Sequence, residues 1–163
     1  MRLYIDGAVV SSLAISKTIA TSSEPLRMGH FQTEWFQGIL DEVQIFARAL
    51  NGDEIAALVL EAPAHAPGPR LAYDMETLTT DGKMKDLSGH GNHGTISGAT
   101  DVAGIVGRAR QFNGIADYVE VPDSSDLHVS GGITIAAWVY LQADHTGGAP
   151  TMKIGRASCR ERV

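Results

Sequence analysis

Apolar residues in this chain arrive in short alternating runs, and nearly every run ends at a turn signal. Phe36–Phe46 is the clearest run: Ile39, Asp41, Val43 and Ile45 share one parity, and Leu40, Glu42, Gln44 and Phe46 share the other. A period of two is the signature of a half-buried strand. Leu3-Tyr4-Ile5 and Ala8-Val9-Val10 flank Asp6-Gly7, a strong two-residue hairpin turn. Leu26 and Met28 alternate within Pro25–Gly29. Further strands are expected at Leu71–Asp74, His93–Ser97, Ala109–Asn113, Tyr118–Val121 and Ile133–Leu141, separated by Ser97-Gly98, Asn113-Gly114 and Ser130-Gly131-Gly132. One helix is expected, over Asn51–Leu60. Asn51 can cap it, Asp53 and Glu54 sit in its first turn, and Ile55, Leu58 and Val59 form its apolar face. Many short strands with almost no helix predict an all-β fold, an antiparallel β-sandwich.

The run is broken once. Glu61–Arg70 carries Pro63, Pro67, Pro69 and Gly68 within ten residues, which reads as a semi-extended linker. Residues 154–163 look foreign to what precedes them. They hold three Arg, one Glu and the only cysteine, Cys159, and show no clear period. They resemble one reading frame of a sequencing-adaptor oligonucleotide and are set aside from fold reasoning. The net charge of −6 argues against nucleic acid as a partner, since that needs a basic face. The longest apolar-leaning stretch, Gly131–Leu141, is 11 residues, against about 20 for a membrane span. A lone cysteine forms no intrachain disulfide. Met1 is followed directly by a strand pattern, so no signal peptide is expected.

Phe36-Gln-Gly-Ile-Leu-Asp-Glu-Val-Gln-Ile-Phe-Ala-Arg-Ala-Leu-Asn-Gly-Asp-Glu-Ile-Ala-Ala-Leu58 resembles the closing segment of a laminin G-like jelly roll, of the concanavalin A-like lectin/glucanase group. The Leu3–Val10 hairpin matches the piece before it. Leu71–Asp74, the glycine-rich Asp86–Thr95 loop, Val106–Gly114, Asp117–Pro122 and Ile133–Val139 resemble the opening of such a module. The order departs from the family, because a closing part precedes an opening part and the central strands are absent. The resemblance therefore implies a fragment of a tandem array: residues 1–60 from one module, a linker at 61–70, and residues 71–153 from the next. First and last strands are neighbours in the jelly roll. The 36–46 strand is thus expected to lie against 71–74, making one permuted, incomplete sandwich.

Asp41 is the most informative polar residue, since its parity puts a carboxylate on what should be the buried face. Such a group must be paired, hydrogen-bonded or bound to a metal. The family implies a Ca²⁺ ion, with Asp41 as ligand and with Asp86 and Asn92 supplying further side-chain oxygens from the glycine-rich loop. The competing readings are a carboxylate accepting hydrogen bonds and a polar Ω-type loop. Asp117 is expected to cap the turn after Asn113-Gly114. His90 and His93 lack the partners zinc needs. Among Trp35, Tyr73, Trp138 and Tyr140, Trp35 is the expected exposed sugar platform, placed in a loop before the long strand, whereas Trp138 leans toward the core. No nucleophile elbow or held carboxylate pair is visible.

The resemblance implies a non-enzymatic carbohydrate- or protein-binding module, Ca²⁺-stabilised, in a secreted or surface-displayed multidomain microbial protein. Its partners would be a glycan or an extracellular protein, with neighbouring modules of the same chain beside it. Two other readings remain: an accessory domain of a glycoside hydrolase or sialidase, and a structural spacer in an adhesin.

Overall fold

The computed structural model describes residues 1–14, 19, 21–60 and 68–142, and the backbone of 154–156. The linker residues 61–67 and most of the tail lie outside the described residues. Two antiparallel sheets carry the fold. The first orders β12 (Thr134–Leu141), β6 (Gln37–Phe46), β10 (Arg108–Asn113) and β9 (Thr100–Ala103), and β7 (Leu71–Tyr73) also pairs with β6. The second orders β13 (Ile154–Arg156), β3 (Leu26–Met28), β11 (Tyr118–Val121) and β8 (Thr95–Ser97). Two hairpins stand apart, β1 (Arg2–Ile5) with β2 (Ala8–Ser12) and β4 (His30–Phe31) with β5 (Glu34–Trp35). The architecture is an all-β sandwich.

Local chemistry accounts for most of these elements. Asp6 and Gly7 take φ of 50° and 78°, the left-handed pair that a tight hairpin turn demands. Helix α1 (Gly52–Leu60) begins with a reciprocal cap: the Glu54 amide donates to Asn51 Oδ1 (2.9 Å), and the Asn51 amide donates to Glu54 Oε2 (2.8 Å). Ile55, Leu58 and Val59 are half-buried, and the helix buries no residue fully. The hairpins at 30–35 and the strand at 100–103 escape the alternation rule. The first is two residues a side, and Thr100-Asp-Val-Ala carries too little apolar contrast.

The core lies between the sheets. Leu26, Met28, Phe36, Leu40, Val43 and Ile45 meet Leu71, Tyr73, Met75, Met84, Phe112, Val119, Val121 and Leu127. Phe36 and Phe112 pack edge to face with centroids 5.7 Å apart. The expected contact between 36–46 and 71–74 is present: Val43, Gln44 and Ile45 pair with Tyr73, Ala72 and Leu71.

One expectation about β6 is corrected. Ala136 opposes Gln44 while Trp138 opposes Asp41, so Glu42 and Val43 together face Ala137. That is a β-bulge, and it inverts the parity of the strand. Leu40 joins Val43 and Ile45 in the core, while Ile39 does not. Asp41 therefore leaves the core face and lies across from Trp138. Ile135 and Ala137 pack on the core, which puts Trp138 on the opposite face, half-buried.

Gly29 follows β3 with φ of 93°, and a Cβ there would stand 2.5 Å from the Phe112 ring and 2.9 Å from the Asp117 carbonyl. Gly29→Ala therefore combines left-handed strain with a core collision. It is expected to cost more than about 2 kcal/mol in urea unfolding, with the slope unchanged.

Candidate functional site

Three groups of polar and aromatic residues stand out. The first surrounds the β6 bulge. β12 covers one edge of β6, so β10 (at residues 37–40) and β7 (at residues 43–45) share the other edge end to end. Between them Asp41 and Glu42 have no ladder partner on that edge. Asp41, 3% exposed, fills the gap with its carboxylate. Its Oδ2 accepts the amides of Ile105 (2.8 Å) and Val106 (3.4 Å), and its Oδ1 accepts that of Glu42 (2.9 Å). Burial pushes its pKa up, and the three amides pull it back. Glu42 is different. It is buried, has a left-handed φ of 48°, and its Oε2 has no hydrogen-bond partner. Burial first, then the charges of Asp41, Asp74 and Glu76, push its pKa up to about 7. Arg110, also buried, donates from Nε to the Met75 carbonyl (3.1 Å).

The second group is the glycine-rich loop. Asp86 is buried and accepts the amides of Ala72 (3.0 Å), Ser88 (3.0 Å) and Asn92 (2.9 Å), and the Ser88 hydroxyl (2.8 Å). Asn92 donates its side-chain amide to the Arg70 carbonyl (2.8 Å), and its own carbonyl accepts the Tyr73 hydroxyl (2.5 Å). Burial, and secondarily the Asp86 charge, raise the Tyr73 pKa. The loop is thus pinned to β7 from both sides. His93 Nδ1 takes the Asp86 amide (3.0 Å), while His90 lies 3.4 Å from Asp126. Asp117 accepts the Asn113 amide (2.9 Å), the turn-capping role expected of it.

The structure therefore brings Asp86 and Asn92 together but gives Asp41 other partners, the turn at 104–106. Among the described residues no three Asp, Glu, His or Cys side chains gather as an ion site. Asp86 has its oxygens occupied by protein donors. Glu42 is the acid with an oxygen to spare, and parity reasoning hid it by placing it on the outer face.

The third group is aromatic. Trp35 lies in β5 rather than in a loop, half-buried, with its ring stacked on His30 at 3.9 Å and 19°. Tyr118 is tilted toward both rings at 6.3 Å. Val119 and Val121 of β11 point into the core, so Tyr118 and Glu120 occupy the outer face, where Glu120 pairs with Arg27 at 2.7 Å. The patch is thus an outward-facing aromatic surface at one end of the second sheet.

Residues 1–56 match the family model Laminin_G_3, Concanavalin A-like lectin/glucanases superfamily. This segment is laminin G-like. The match covers about a third of the 163 residues and includes Trp35, Asp41 and Glu42. No curated protein and no solved structure matches the chain. Among the described residues no helix is long and apolar enough to cross a membrane. The laminin G-like segment supplies β6 and the aromatic hairpin, and residues 68–142 supply the strands around them.

Glu42 makes stability depend on pH. Its ordinary pKa is 4.5 and its folded value is about 7. Between those values the folded chain holds a proton that the unfolded chain has lost, so stability falls as pH rises through that window. Glu42→Gln is expected to flatten the fall and to raise the melting temperature at pH 8. The size is on the order of 3 kcal/mol. Thermal melts of both proteins between pH 4.5 and 8 measure it, and parallel curves would contradict it.

Proposed function

We propose that this chain is a non-enzymatic binding module that takes carbohydrate on the Trp35–His30–Tyr118 surface, in a secreted or surface-displayed protein. The observation that carries the reading is that surface itself. Trp35 is held flat against His30, and Tyr118 meets both at an angle, so an indole and a phenol lie together on the outer sheet face, and these are side chains on which a pyranose ring stacks. Arg27 and Glu120 on the same sheet face offer a donor and an acceptor for hydroxyl groups. The laminin G-like match supports a binding role, since such domains are typically binding modules. Asp41, Asp86 and Asp117 spend their oxygens on backbone amides, which favours a structural over a catalytic use of these acids.

A glycan array probed with the whole chain tests this. Trp35→Ala and Tyr118→Ala are each expected to weaken binding tenfold or more, with the far-UV spectrum unchanged, in line with about 1–3 kcal/mol for a stacked ring. An array with no glycan bound, or Trp35→Ala binding as the parent does, would overturn the reading.

A further inference from the structure

The two sides of the Pro-rich stretch complete one another. Among the described residues, the strand pairings internal to 1–60 are two local hairpins, β1 with β2 and β4 with β5. Those internal to 68–142 are β9 with β10 and β8 with β11. Every other ladder joins segments on opposite sides of 61–67: β6 with β7, β10 and β12, and β3 with β11 and β13. The core is divided in the same way. Leu26, Met28, Phe36, Leu40, Val43 and Ile45 come from the first segment, and Tyr73, Met84, Phe112, Val119 and Val121 come from the second. Without 1–60, β7 and β12 have no ladder partner among the described residues, and the acceptor core is open along the slot that β6 fills. Neither segment can bury its apolar face alone.

We propose that residues 1–60 act as a donor segment that seats in a second copy of this chain as it does in its own, so that copies exchange it and form a closed, strand-exchanged dimer. The contacts in the exchanged and unexchanged forms are the same. What separates them is the effective concentration set by the connection between Leu60 and Gly68, seven residues that include Pro63 and Pro67. Because β6 sits between β12 on one edge and β7 and β10 on the other, release of the donor opens the sheet at its centre. Exchange therefore requires unfolding and is expected to be slow in native buffer and fast after denaturation.

Two variants of the whole chain test this by complementation. Val43→Asp puts a charge in the donor's core strand, and Val121→Asp puts one in the acceptor, both at positions with 0% exposure. Each alone is expected to lose its near-UV signal. Unfolded together in urea at equal concentration and refolded, they can build one wild-type unit per pair, from the Val121→Asp donor and the Val43→Asp acceptor. The expected result is recovery of up to half the parent's signal in a peak of dimer mass by light scattering. A mixture as unstructured as its components would overturn the proposal. A second arm covers the case in which either variant folds by itself. Differently tagged copies of the parent are refolded together at high concentration, and a protease site replacing Ala64-His65 is then cut. Donor and acceptor bearing different tags should co-purify in about half of the product. Co-purification only of like tags, or separation of the cut pieces, would equally overturn it.

Discussion

One strand with two successive neighbours on a single edge sets the terms for the rest of this fold. β6 is ten residues long, is covered by β12 along one side, and is shared on the other by β10 and then β7. Where one neighbour ends and the next begins, backbone groups are left without a ladder. A buried unpaired amide costs roughly as much as a lost hydrogen bond, so the gap has to be filled. Asp41 fills it. Its carboxylate takes the amide of the next residue and two amides from the turn at 104–106, tying the start of β10 to the centre of β6. The bulge at Glu42 follows from the same constraint. The strand needs an extra residue to reach from one partner to the other while keeping Leu40 and Val43 both inward.

Acids recur with glycines facing them, two buried (Asp41 and Asp117) and one exposed (Glu76). A Cβ on Gly104 would collide with Asp41 Oδ2, one on Gly98 with Asp117 Oδ1, and one on Gly107 with Glu76. Each carboxylate lies where a side chain on the facing residue would stand, and each accepts backbone amides from the same or a nearby turn. These acid–glycine pairs use an ion as a template for loop backbone. A carboxylate offers two oxygens and about four lone-pair directions, which is what a turn with several inward amides requires. Asp86 does the same for the 86–92 loop without a facing glycine, and so fixes the loop to β7.

Much of the architecture was legible in the sequence because local signals agree with it. Asp6-Gly7, the Asn51 cap, and the runs at 26–28, 71–73, 108–113, 118–121 and 134–141 all follow from turn chemistry and period-two patterning. The neighbourhood of β6 and β7 followed from the jelly-roll resemblance. The bulge was not legible. Nothing marks Glu42 as left-handed, since glycine is the residue that advertises such a backbone and a glutamate does not. That single inserted residue moved Asp41 off the core face and left Glu42 buried with one oxygen lacking a donor, while Trp138 faces away from the core through the regular alternation of β12 itself. Asp86 and Asn92 were visible as a polar glycine-rich loop. Their use depends on Ala72 and Arg70, which are distant in sequence and come near only when β7 pairs with β6.

Glu42 is therefore the residue at which the fold and its chemistry diverge. The other buried acids are satisfied by amides, and their charge is part of the structure. Glu42 has the same burial, three acidic neighbours and an oxygen with no donor, on a backbone conformation that non-glycine residues avoid. A hydrophobic side chain there would remove the electrostatic penalty at little packing cost, and glycine would remove the backbone strain as well. Burial and the three acidic neighbours make a proton the group that neutralises Glu42, since they hold its pKa at about 7. That proton sits at the junction of β6, β7 and β10, where the two sides of the Pro-rich stretch meet. Protonation of Glu42 therefore favours the hold of the first sixty residues on the strands that follow.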